Sequence, residues 1–139
     1  MSKPRYGWWS YAKYMVRVYP ELEEEYQDLQ SQKIASEITR SLGKMNASRK
    51  TEKAALRQLS PAKQAEYDAV TKAIVRTKLL KTGRERLAVI DVVYWKQTHT
   101  LDGAAYAIGY SYENAKRFHK DFLRLVGLYR GLMDPEDVA

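Results

Sequence analysis

The sequence predicts an all-α fold, with a helical N-terminal part followed by a C-terminal helix-turn-helix domain. Three observations carry that expectation. Apolar residues recur every three or four positions along most of the chain, the spacing that gathers them on one face of a helix. Glycine and proline are few, seven and four in 139 residues, and stand at breaks rather than in tracts. The stretch from 100 to 127 sets a cap, a small residue, a glycine and a second cap at the intervals that a tight turn between two helices needs.

The N-terminal segment is rich in aromatics. Trp9, Tyr11, Tyr14, Met15 and Val18 recur at helical spacing, which predicts a short amphipathic helix within Tyr6 to Val18. Its apolar side reads either as a core face or as a docking surface for another protein. Adjacent Trp8 and Trp9 point in different directions on a helix, so a small domain is not expected to bury both. Pro20 is expected to end this helix and open the next, because a first helical turn tolerates its missing N–H. Glu21, Glu23, Glu24 and Glu25 would then sit at the positive end of a helix dipole, as a solvated helix start rather than a metal site. Leu22, Tyr26, Leu29, Ile34, Ile38 and Leu42 form a rough apolar stripe, and Gly43 is a natural stop.

Residues 44–60 are polar and basic and read as a linker. Lys44, Arg49, Lys50, Lys53 and Arg57 could meet phosphate there, or simply face solvent. Ser60-Pro61 is a helix start, with Ser as cap and Pro at the first position. Tyr67, Val70, Ile74 and Val75 give the following stripe, and Thr82-Gly83 ends it. Arg84 to Lys96 is read as a helix with Leu87, Ile90 and Tyr94 on one face, although its β-branched residues would also suit a strand. The expected organisation is an N-terminal helical segment (1–43), a basic linker (44–60) and a helix-turn-helix domain (61–139).

Composition narrows the function. There is no cysteine, which removes disulfides, thiolate chemistry and cysteine-bearing zinc sites. With only His99 and His119, a histidine-rich metal site is not expected either. No nucleophile stands beside a base and no glycine-rich phosphate loop is present, so neither an enzyme nor a cofactor is expected. No signal peptide or membrane span is read from the apolar pattern, and a soluble, cytoplasmic protein is expected. The net charge of +7 suits a polyanionic partner. The charge is uneven: residues 33–86 hold fourteen basic and five acidic groups, whereas residues 87–139 hold six and seven.

The functional expectation rests on Thr100 to Gly127. Thr100 can cap a short helix from Leu101, with Ala104, Ala105 and Ile108 on one face. Gly109 supplies a positive φ for the turn. Ser111 caps a second helix whose inward residues are Ala115, Phe118, Phe122 and Leu123. Ala105 is small enough for a helix crossing, and Tyr110 should close the wedge. An ordinary helical hairpin is the alternative. The outward residues of the second helix suit duplex DNA: Tyr112, Glu113, Lys116, Arg117 and Lys120, with Asn114 at the boundary and Ser111 at the phosphate-facing start. Arg and Lys can read guanine, Asn adenine, and Glu can accept from cytosine. Lys120 is the best phosphate candidate and Glu113 the best specificity candidate. His119 reads as a packing or phosphate-side residue.

These residues carry a resemblance. Arg84-Glu85-Arg86-Leu87 through Tyr94, then Thr100-Leu101-Asp102-Gly103-Ala104-Ala105, then Ile108-Gly109-Tyr110-Ser111, resemble region four of bacterial sigma factors over residues 84–126. The layout is similar to phage and prophage regulators of the RinA/ArpU type. The resemblance implies a late-gene transcription activator acting on promoter DNA with bacterial RNA polymerase or a sigma factor, and it carries Tyr112, Glu113, Lys116 and Arg117 over as DNA contacts. Gly103, Ala104 and Ala115 depart from the family pattern, leaving room for a neighbour such as Trp95 or Phe118. Two alternatives stand beside it: a small terminase-like DNA-packaging subunit, which would form a homo-oligomer, and a protein-binding module that targets RNA polymerase.

Overall fold

The computed structural model describes residues 7–41 and 58–133, and among them there is no strand. Its helices are α1 (Trp9–Ser41), α2 (Pro61–Lys78), α3 (Gly83–Ile90), α4 (Leu101–Ile108) and α5 (Tyr112–Arg130). A π-helical turn, Asp91–Trp95, prolongs α3. No helix among the described residues is long and apolar enough to cross a membrane. The described residues fall into two compact units, 7–19 with 65–133, and 20–41 with 58–64.

Pro20 does not separate two helices. It lies inside α1, which runs on for 33 residues. A helical proline deprives the carbonyl four residues back of its donor. Here that carbonyl belongs to Val16, and the Trp95 indole N–H donates to it at 2.8 Å. The expected break is therefore unnecessary, because a distant side chain replaces the missing backbone donor. As a result the acid run sits in mid-helix, away from any helix start. Glu21, Glu23 and Glu24 are exposed, while Glu25 faces the Lys63 ammonium at 3.4 Å within the second unit. In that unit Leu22 and Leu59 are buried, whereas Ile34 and Ile38 of the expected stripe are exposed. Leu42, Gly43 and the basic residues up to Arg57 lie outside the described residues.

The main core of the first unit gathers Ala12, Met15 and Val16 of α1, Ala69, Val70 and Ala73 of α2, Ile90 and Tyr94, and Phe122, Leu123 and Val126 of α5. The expected N-terminal stripe holds in part: Met15 is buried and Trp9 and Tyr11 pack against the core, but Tyr14 is exposed, and Ala12 and Val16 face inward beside Met15. On α2 the same correction applies. Ser60 Oγ accepts from the Lys63 N–H as the helix start requires, but Val75 points outward and Thr77 takes the inner position. Thr77 can be buried because its hydroxyl donates to the Ala73 carbonyl at 2.7 Å. Ile90 and Tyr94 are buried and Leu87 partly so, the face read from the sequence.

Trp8 completes this core. Its ring lies over Gly127 of α5, where a Cβ would stand 2.6 Å from two ring carbons. Gly127 is therefore required by close approach.

Candidate nucleic-acid interface

A second, smaller core holds the segment singled out by its spacing. Val89, Ala104, Ala105, Ala115 and Phe118 are buried together, with Leu101, Ile108 and Tyr110 packed against them. The three alanines let α3, α4 and α5 approach one another, and Phe118 fills the space that their small side chains leave. Trp95 packs in the main core instead.

Local chemistry fixes both ends of the turn. Thr100 Oγ1 accepts from the Gly103 N–H at 3.1 Å and starts α4. Gly109 takes φ +76°, a conformation costly for a residue with a Cβ. Its N–H reaches the Tyr106 carbonyl, and the Tyr110 N–H reaches the Ala105 carbonyl at 3.0 Å, which together form a Schellman end. Tyr110 then packs on Phe118, ring centroids 5.3 Å apart. Ser111 Oγ accepts from the Asn114 N–H at 3.1 Å and starts α5. Cap, glycine, wedge and second cap stand where the spacing put them.

The seven candidate residues occupy the first three turns of α5 and its cap. Ser111, Tyr112, Glu113 and Arg117 are exposed, and Asn114, Lys116 and Lys120 are half-buried. Lys116 lies 3.6 Å from the Glu113 carboxylate and 5.1 Å from the Tyr112 ring centroid. Contacts this exposed are worth well under about 1 kcal/mol each, so these groups remain available to a partner. Three cations against one carboxylate leave the face positive. Asn114 is held at the boundary by its helix position, and its backbone N–H is spent on the cap.

Two residues escaped the sequence reading. Arg86 closes the basic stretch 33–86 in sequence, but its guanidinium is turned inward: it pairs with Asp121 at 3.0 Å, donates to Thr82 at 2.8 Å and covers the Phe118 ring at 4.7 Å. It ties α3 to α5 and orients the face without belonging to it. Tyr106 on α4 is 90 % exposed, the most exposed large apolar side chain described. Helical spacing from Ala104, Ala105 and Ile108 already puts position 106 outward, so that signal was present.

His119 is a packing residue. Its Nε2 lies 2.6 Å from the Tyr94 hydroxyl, and the two rings are nearly parallel. Burial pushes the imidazole down to about 4, assisted by the charge of Lys13. Burial likewise pushes the Tyr94 phenol up to about 12. A neutral imidazole accepting from a neutral phenol is the arrangement both shifts favour. The pair joins α5 to the π-helical turn.

Among the described residues, no group of three or more histidine, aspartate or glutamate side chains is arranged to hold a metal ion. Comparison with protein families, curated proteins and solved structures finds no match for this chain.

Proposed function

We propose that residues 83–130 form a helix-turn-helix unit and that the chain is a sequence-specific DNA-binding transcription regulator. In this reading it is a phage or prophage late-gene activator of the RinA/ArpU type that acts with bacterial RNA polymerase. One observation carries the proposal. The capped α5 buries Ala115, Phe118 and Phe122 on one side and leaves Tyr112, Glu113 and Arg117 exposed on the other, with Lys116 and Lys120 beside them. A rigid helix with a wet, net-cationic, hydrogen-bonding face fits the major groove of B-DNA. Lys116 and Arg117 supply donors for guanine or phosphate, Glu113 an acceptor for cytosine, and Lys120 a phosphate contact.

The test is binding to duplexes selected from random-sequence DNA, followed by fluorescence anisotropy. Lys116→Ala combined with Arg117→Ala should weaken binding roughly tenfold or more, at about 1–3 kcal/mol for each contact that reads a base. Helical content and melting temperature should stay at their parent values, because neither side chain is part of a core. Unchanged affinity in that double variant would remove α5 as the reading element.

A further inference from the structure

The end of α2 carries a surface that neither the fold nor the DNA-reading face uses. Val75 is 55 % exposed, Leu79 73 % and Leu80 38 %. Val75 lies in the last turn of α2, and Leu79 and Leu80 follow directly in the turn that ends it. The backbone holds both leucines in place: the Leu79 N–H bonds the Arg76 carbonyl at 3.2 Å and the Leu80 N–H the Thr77 carbonyl at 3.0 Å. The inner side of the same turn is closed by Thr77, so these leucines lie outside the core. Single exposed apolar side chains are ordinary, but three within six residues form a patch.

Cations interleave this patch. Lys72, Arg76, Lys78 and Lys81 are all exposed, and none has a carboxylate partner among the described residues. Lys72 and Arg76 stand on the same helix on either side of Val75 in sequence, and Lys78 and Lys81 bracket the leucine pair. The patch therefore asks for apolar contact and negative charge together. A phosphate backbone would answer only the charge, and would be desolvated against leucine. A second copy offers the acid run of α1, but the leucine within that run, Leu22, is buried, and the exposed Ile34 and Ile38 further along that helix stand beside Lys33 as well as Glu37, so its apolar surface is not set among carboxylates alone.

We infer that the end of α2 docks an acidic amphipathic helix of a partner protein, with its apolar stripe on Val75, Leu79 and Leu80 and its carboxylates on the surrounding cations. This goes beyond the DNA reading and does not depend on it.

The experiment titrates the full chain, isotopically labelled, with a synthetic helical peptide whose leucine stripe is flanked by glutamates. A control peptide keeps the glutamates and carries serines in place of the leucines. Amide shifts should centre on residues 72–81, and the control should bind about fivefold more weakly or worse. Leu79→Ser with Leu80→Ser should lose about the same factor without changing the circular dichroism. Arg76→Gln with Lys78→Gln should weaken binding and flatten its salt dependence. Equal binding of the two peptides would overturn the proposal. So would shifts of these same residues by duplex DNA that persist in the leucine variant, or self-association in sedimentation that the leucine variant abolishes.

Discussion

Gly127 and Trp8 show how one missing Cβ can organise a core. Alanine at 127 would place its methyl 2.6 Å from the indole ring. Such overpacking costs about 1–3 kcal/mol, against which alanine returns about 1 kcal/mol of helix propensity. Gly127→Ala should therefore destabilise the chain in urea denaturation. In a Trp8→Ala background the clash is gone, and the same substitution should instead stabilise by about 1 kcal/mol. At the same scale, His119 links stability to pH. The unfolded imidazole protonates near 6.5 and the folded one near 4. Between those values the unfolded chain binds the extra proton, so this contribution to stability declines as pH falls through that window and levels off below it. Its full span is on the order of 3 kcal/mol. His119→Gln keeps an acceptor for the Tyr94 hydroxyl but does not titrate. The stability difference between parent and variant should vary between pH 6.5 and 4, and a pH-independent difference would exclude His119 as the source.

Among the elements, α1 is the one whose continuity depends on a partner. Proline in mid-helix costs about 3 kcal/mol through its lost hydrogen bond and steric conflict. Trp95 Nε1 offsets part of this by satisfying the Val16 carbonyl. Trp95→Phe keeps a large ring but leaves that carbonyl without its donor, and should cost about 1–3 kcal/mol. Pro20→Ala restores a backbone N–H four residues on. The double variant should thus be more stable than Trp95→Phe alone by more than Pro20→Ala stabilises the parent. Additive effects in that cycle would show the two sites to be uncoupled. The α4–α5 pair behaves differently, since its caps and turn come from neighbouring residues and need no such rescue.

Over the whole molecule, charge and candidate specificity are separated. Residues 33–86 hold most of the excess positive charge, and the α5 face only a small share. If the proposed DNA reading is right, the logarithmic salt slope reports all phosphate contacts, at about 0.9 per phosphate neutralised. Lys116→Ala with Arg117→Ala should then remove at most about two from that slope while abolishing preference for the selected site. Loss of most of the slope in that variant would move the electrostatic attraction onto α5. Arg86 lies inside the basic stretch in sequence yet is spent on Asp121, Thr82 and Phe118. A count of basic residues therefore overstates what is available to a polyanion.

Features built by neighbouring residues are legible in the chain without its fold. Thr100, Gly109 and Ser111 act within four residues of their partners, and a buried alanine shows in spacing when bulkier apolar residues flank it. Those rules made the helical class, the α4–turn–α5 hairpin and the location of all seven candidate residues legible. Tertiary structure decided what depends on a distant group. The Trp95 indole reaches Val16 across 79 residues and lets α1 pass through Pro20. Packing chose Ala12 and Val16 over Tyr14 for the core, because helices approach closely where side chains are small. The turn centred on Gly109 was thus written locally, whereas the helices that support it were settled by partners that periodicity alone does not reveal.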